Sequence, residues 1–372
     1  MSAASDPPAK PPMQVWGGYP LSGYLRLLAR NRFRVDRGCW AVALRNAVGC
    51  AVTSALGLVQ RVRHGRAVAR TQLTAPPVFV LGHWRSGTTH LHDLLALDPR
   101  HIFPTTYECF MPHHFLISEA FVKRRFPIQT HRQMDEVEWN WDTPQEDEWA
   151  LTLLGQGSPY LTIAFPNLPL LGSEYLDLAD LAPAQRADWR QTLFHFAQAL
   201  TYKKPGRLIF KSPTHTARVG LLREQFPDAG FVHIVRNPYQ VIPSTLTTFR
   251  LIFASMGLQQ PTYAGLEEGV FATYERMFRR LEEGRRQVDP SRFCEVTYED
   301  LVREPTANLR RIYEHLDLGE FSSLQAHLDA YLAKLKDYHT THHELAPALQ
   351  AQIAERCGSV IRQYGYSPPA PR

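Results

Sequence analysis

Cysteine is scarce in this chain. The five residues, Cys39, Cys50, Cys109, Cys294 and Cys357, are odd in number and form no C-x-x-C pair. That speaks against a disulfide framework and for reduced thiols in a cytoplasmic protein. Long runs are missing as well. No block of five or six like charges occurs, and no internal repeat is visible. Near the N-terminus the longest uncharged run, Asn46 to Gln60, has fifteen residues, contains Gly, Thr, Ser and Asn, and is bracketed by Arg45 and Arg61. A spanning helix needs about 20 mostly apolar residues, so none is expected. Residues 1–12 are polar and Pro-rich without an apolar core, so no secretory signal is expected. Charge of one sign is in only slight excess. The 41 Lys and Arg against 36 Asp and Glu give +5. Such a balance suits an anionic ligand but is too diffuse for nucleic acid, and no nucleic-acid partner is expected.

What remains is ordinary globular material. The 372 residues are 44% hydrophobic and 21% charged, which excludes a wholly disordered chain and allows a sizeable core. Residues 1–18 read as a disordered tail and residues 19–75 as a helical extension. In the latter, Val42, Leu44, Val48, Val52, Leu56 and Val59 recur at helical spacing. From residue 76 to 372 a single further domain is expected. Val78 to Leu81, Arg207 to Phe210, Phe231 to Val235 and Phe293 to Tyr298 are short apolar runs of the kind buried parallel strands require. Helical patterns follow them, from the Gly82–Thr89 loop through Leu97, up to Phe226, and from Thr306 to Leu316. Asp98-Pro99 stops the first. A closing helix is expected over 346–364. Strands alternating with helices predict an α/β fold, a P-loop-like parallel sheet flanked by helices, with the N-terminal helical extension added.

Gly82-His83-Trp84-Arg85-Ser86-Gly87-Thr88-Thr89 lies between a strand and a helix. There, backbone N–H groups and a helix N-terminus can cradle phosphate oxygens. The G-x-x-x-x-G spacing is that of a Walker A loop, but Thr88-Thr89 stands where Lys-Ser/Thr belongs. Without that Lys the triphosphate machinery is incomplete. The loop therefore suits a 5′-phosphate group.

Arg85-Ser86-Gly87-Thr88-Thr89 resembles the 5′-phosphosulfate loop of sulfotransferases that use 3′-phosphoadenosine 5′-phosphosulfate (PAPS). Arg236-Asn237-Pro238 through Ser244, with Arg and Ser eight apart, is similar to the family's 3′-phosphate clamp. Arg gives a bidentate, charge-assisted grip and Ser a hydroxyl donor. Tyr298-Glu299-Asp300-Leu301-Val302 resembles the family's late strand-to-helix segment. Lys211-Ser212-Pro213-Thr214-His215-Thr216 stands 25 residues before Arg236, about where the Golgi tyrosylprotein branch has its active-site Lys. The resemblance covers roughly residues 76–318. Arg85 stands where cytosolic members carry Lys, which places the chain nearer the tyrosylprotein-type and bacterial members.

The resemblance implies sulfuryl transfer from PAPS to a hydroxyl, with no metal. Arg85, Lys211 and the loop N–H groups of Ser86, Gly87, Thr88 and Thr89 are expected to hold the sulfate and the leaving phosphate. Arg236 and Ser244 take the 3′-phosphate. Glu108, nine residues past Pro99, is the expected general base, because tyrosylprotein-type members place a Glu at similar spacing beyond a Pro-containing helix stop. His113 and His114 are its rivals; His90 and His92 read as helix residues near the loop. The acidic, Trp-rich segment with Glu136, Glu138, Asp142, Glu146, Asp147 and Glu148 reads mostly as a solvated face over aromatics. Some bacterial relatives carry a segment similar to Pro144-Gln145-Glu146-Asp147, so Glu146 or Asp147 is a candidate for the acceptor site. Arg250 reads as an exposed helix residue, and His339, His342 and His343 as part of a solvated loop rather than a metal site. Residues 149–173 and 251–266 carry no charge and read as apolar loops. With the basic, semi-apolar helices of residues 20–70 they predict a hydroxylated small-molecule or lipid acceptor and peripheral membrane contact. The same architecture fits a P-loop small-molecule kinase, against which the missing Walker Lys and the Arg236/Ser244 clamp count. It also fits a catalytically silent nucleotide-binding protein, against which Lys211 and a candidate base count.

Overall fold

A computed structural model describes residues 14–131, 138–168, 172–334 and 345–368. His339, His342, His343 and Glu136 lie outside the described residues. The chain divides into two compact units. The first holds residues 1–72, 104–203 and 247–266, the second residues 73–103, 204–246 and 267–372.

Among the described residues the strands, in chain order, are β1 (Val78–Leu81), β2 (His101–Ile102), β3 (Gln129–His131), β4 (Glu138–Asn140), β5 (Arg207–Lys211), β6 (Gly230–Val235) and β7 (Phe293–Thr297). The second unit is built on a parallel sheet in the order β2-β5-β1-β6-β7. The four expected strands are all there. Two-residue β2 was too short to show a period. β3 and β4, in the first unit, form a separate antiparallel pair.

Alternation along β1 builds two cores. Val78 and Val80 pack with Leu91, Leu94, Leu95, Ile209, Val232 and Ile234. Phe79 points the other way. Its register partners are Phe210 on β5 and Phe231 on β6, and the rings stack at 5.5 and 5.7 Å. Burying each such side chain is worth about 1.5–3 kcal/mol. Because β1, β5 and β6 run parallel, their C-terminal ends reach one edge of the sheet. In open α/β sheets, ligands bind beyond that edge.

The helix after β1, Thr88–Ala96, ends before Asp98-Pro99 as expected. Asp98 is fully buried. It accepts from the Arg100 backbone N–H (2.9 Å), Arg100 Nε (3.0 Å) and Nη2 (2.7 Å), and Tyr313 Oη (2.8 Å). Burial pushes its carboxyl up, but these donors together pull it down to about 2. The closing segment is two helices, Pro347–Arg356 and Gly358–Tyr364, and Gly365 ends the second with φ 65°.

The first unit corrects three expectations. Residues 15–18 are not tail but a buried 3-10 turn. Trp16 is wholly buried and its indole N–H donates to Met256 O at 2.8 Å. The Pro-rich composition around it hid that anchor. The helices α1 (Leu21–Arg30) and α2 (Trp40–Arg70) are not a separate extension. They group with residues 104–203, and Gln198 Nε2 donates to Ala69 O at 3.1 Å. The uncharged stretches are not simply loops. Residues 149–153 end the helix Asp147–Leu153, Leu161–Ala164 is a further turn of helix, and 251–256 finish the helix Pro238–Met256.

Candidate active site

The loop after β1 turns on two glycines. Gly82 has φ 151° and Gly87 φ 100°, conformations that exclude most side chains. A Cβ on Gly82 would lie 2.6 Å from Ile234 O, and one on Gly87 2.4 Å from Tyr298 Cδ2. Gly82 N donates to Thr216 Oγ1 at 2.7 Å. Ser86 N and Oγ both donate to His83 O, at 3.1 and 2.8 Å. Gly87 then caps the helix from Thr88, whose first N–H groups lack intrahelical acceptors. No Asp or Glu occurs from Val78 to His92. Burial holds His83 and His90 down at about 4, so both are neutral near pH 7. Positive charge therefore comes from the arginines and lysine at the strand ends.

Arg236 follows β6 directly. Its guanidinium carbon lies 4.1 Å from the centroid of the Tyr298 ring, and its Nη1 donates to Arg85 O at 3.2 Å. Arg85 is a non-glycine residue at φ 67°. That backbone turns its side chain so that Nε donates to Ser244 Oγ at 2.9 Å. Thr245 Oγ1, beside Ser244, donates to Val241 O at 2.8 Å and Trp84 O at 3.3 Å. Arg85, Arg236 and Ser244, read from two separate motifs, thus form one cluster. Lys211 ends β5, is 2% exposed, and pairs in register with Val80 on β1. Ser212, Thr214, His215 and Thr216 beyond it are buried too.

Two residues quoted in the sequence motifs have roles that the motifs do not announce. Thr216 fastens Gly82. The Tyr298 ring lies under Arg236 and against Gly87 at once. Only tertiary packing reveals either. Arg250 is exposed, as expected.

The remaining candidates belong to the first unit. Glu108 is 4% exposed and closes a capping box on the helix Thr106–Phe110. Its Oε2 accepts from Thr105 N and its Oε1 from Lys203 Nζ, each at 2.7 Å. The alternative of a solvated loop glutamate is thus replaced by a buried ion pair. His113 Nε2 lies 3.0 Å from Leu153 O. His114 lies 2.7 Å from Ser118 Oγ through Nδ1 and 3.4 Å from Thr53 Oγ1 through Nε2. Burial lowers His113, and lowers His114 to about 4. Asp147 and Glu148 are fully buried rather than solvated. Ser158 Oγ donates to Glu148 Oε1 at 2.6 Å, and Tyr160 Oη donates to Glu146. Trp149, next to Glu148 in the chain, meets Tyr160 at 4.7 Å and Trp16 at 6.0 Å.

A parallel sheet whose strand ends deliver a glycine loop, a buried lysine and an arginine-serine clamp defines an α/β enzyme of P-loop type, with its cations arranged for an anionic ligand. The sulfotransferase family matches residues 76–322, and the chain belongs to it. It is similar to the omega-hydroxy-beta-dihydromenaquinone-9 sulfotransferase Stf3 of Mycobacterium tuberculosis, 46% identical over 353 residues, which cover 95% of this chain and 91% of the relative. The Mycobacterium bovis protein of the same description matches equally. Among solved structures, sulfotransferase STF9 from Mycobacterium avium aligns with a TM-score of 0.65 at 19% identity, covering 94% of this chain and 97% of the other. Sulfotransferase STF1 from Mycobacterium tuberculosis aligns at 0.58 and 17%, covering 91% of each. At such identities the structural likeness establishes the fold. The chain is a sulfotransferase, an enzyme that transfers a sulfuryl group.

Proposed function

We propose that this sulfotransferase works without a metal ion on the hydroxyl of an apolar, lipid-like alcohol, in the cytoplasm and at a membrane. The observation that carries the acceptor class is the 46% identity, over 95% of the chain, to a relative named for an omega-hydroxylated dihydromenaquinone. The uncharged stretches 149–173 and 251–266 support it.

When bound, PAPS supplies the sulfuryl group and leaves as the 3′,5′-bisphosphate. Arg236 and Ser244 grip the 3′-phosphate. Lys211 and the N–H groups of Ser86, Gly87, Thr88 and Thr89 neutralise the sulfate and the leaving 5′-phosphate. Arg85 joins the two ends, since its side chain already reaches Ser244. These cations supply the charge that a metal supplies in nucleotide kinases. Glu108 is the base. Lys203 Nζ and Thr105 N each donate to one of its carboxylate oxygens, and each oxygen keeps a second lone pair for the acceptor proton.

Labelled PAPS offered with an omega-hydroxylated isoprenoid quinone, long-chain alcohols and small sugars tests the acceptor class. Transfer to the lipid alcohols is expected. Transfer confined to the sugars would overturn the assignment.

A further inference from the structure

The helix α2 inverts the usual arrangement of a surface helix. Its inward face carries Asn46, Cys50, Thr53 and Gly57, all buried. Its outward face carries Leu44, Val48, Val52, Val59 and Val62, between 51% and 80% exposed. These five are spaced by four, four, seven and three residues, so they lie on one stripe. From Leu44 to Val62 that stripe is about 27 Å long at 1.5 Å per residue. No charge interrupts the helix between Arg45 and Arg61. Isolated exposed valines need no explanation, but a continuous apolar stripe marks an interaction site.

Helix α2 is long and apolar enough to cross a membrane by length and composition. Its inward face is already taken, however. Asn46 Nδ2 donates to Gln14 Oε1 at 3.2 Å and Thr53 Oγ1 to Gly17 O at 3.0 Å. A Cβ on Gly57 would lie 3.2 Å from His113 Cβ. With hydrogen-bonded Asn46 and Thr53 and small residues packed inside beside Val42, Ala43 and Val68, and the longer apolar stripe outside, the helix is built to lie on lipid rather than pass through it.

Charge selects the kind of lipid. The first 72 residues hold eleven Lys and Arg against two Asp, a net +9 where the whole chain carries +5, which leaves −4 for the other 300. No Asp or Glu occurs from Arg37 to His92. Both ends of the stripe are arginine-rich and exposed. Arg32, Arg34 and Arg37 stand at one end with exposed Phe33 and Trp40, and Arg61, Arg63 and Arg66 at the other. A second copy of this chain on the same face would set arginine against arginine. Anionic headgroups do the opposite.

We propose that the outward face of α2 docks on an anionic lipid surface, its apolar stripe in the acyl boundary and its arginines among the headgroup phosphates. This deepens the reading of a lipid-like acceptor, because an alcohol dissolved in the membrane is then presented to a bound enzyme.

The test is co-sedimentation of the full chain with mixed phosphatidylglycerol–phosphatidylcholine vesicles and with phosphatidylcholine alone. Binding to the mixed vesicles is expected, weakened at least ~10-fold between about 0.1 and 1 M salt. A triple variant, Val48→Gln, Val52→Gln and Val59→Gln, should lose at least ~10-fold of vesicle affinity. Its affinity for 3′,5′-adenosine bisphosphate should stay unchanged, which shows that it folds. Equal binding to both vesicles, unaltered binding by the variant, or a dimer that the variant converts to monomer would each overturn the proposal. Transfer from labelled PAPS to a detergent-solubilised long-chain alcohol is measured alongside. Transfer without vesicle binding rejects the docking face and leaves the acceptor reading intact. Vesicle binding without transfer to any lipid alcohol supports the face and removes the acceptor reading.

Discussion

At the scale of the residue, each cation in the proposed site is assigned a separable role. Arg236 lies on the Tyr298 ring and donates to the loop carbonyl of Arg85. Arg236→Ala should weaken bisphosphate binding by about 2–5 kcal/mol, the cost of truncating one side of a desolvated charge contact. Isothermal titration reads this directly, and unchanged affinity would remove Arg236 from the 3′-phosphate site. Lys211 is assigned to charge that develops during transfer. Lys211→Ala should lower kcat about 10²–10³-fold, with a much smaller effect on bisphosphate affinity. An equal loss in both would make it a plain binding residue. For Glu108, the amide of Glu108→Gln can still accept from Thr105 N, so the helix cap persists while the charge is lost. If Glu108 is the base, turnover falls roughly 10²–10⁴-fold with cofactor binding intact. Near-normal turnover with a lowered Tm would leave it a cap and ion-pair residue and pass the base role to a histidine or Asp147. Arg85, Arg236, Ser244 and Lys211 could all be named from the sequence because family motifs carry them. The direction of the Arg85 side chain could not, since a backbone at φ 67° sets it.

At the scale of the element, the strand-loop-helix unit around β1 was legible because each part carries its own signal. An apolar run gives the strand, two glycines the turn, and Asp98-Pro99 the stop. Gly87→Ala should damage this unit at once, since its Cβ would overlap Tyr298 and its φ would be strained. Loss of bisphosphate binding with retained helical circular dichroism is the expected result. Asp98 shows what motifs do not reveal. The same residue that ends the helix is the acceptor for Arg100 and Tyr313. Its carboxyl is held below its ordinary value, so it stabilises the fold fully above about pH 4 and progressively less as pH falls toward 2. That contribution is about 2 kcal/mol. In urea unfolding, Asp98→Asn should be less stable than the parent at pH 7, and the gap should narrow toward pH 3. A gap independent of pH would contradict the ion-pair account.

At the scale of the whole molecule, the parent should retain its melting temperature under reducing conditions, because no disulfide joins any of its five buried cysteines. A reductant-sensitive Tm would show a bond the fold does not contain. The sequence by itself determined the α/β class, the four longer strands, the phosphate loop and the family, since strand hydrophobicity and glycine turns are local and the motifs are contiguous. It also held the charge asymmetry of the first 72 residues, which a search for unbroken charge runs passes over. Tertiary structure alone decided three things. It drew residues 14–70 into the first unit through the buried Trp16 and the inward face of α2. It buried Asp147 and Glu148 rather than leaving them in water. It turned Leu44, Val48 and Val52 outward, although their helical spacing by itself suits a core face. Periodicity tells which side chains share a face. Which face is buried depends on partners distant in the chain, and here the close-packed glycines and hydrogen-bonded Asn46 and Thr53 claimed the inner one.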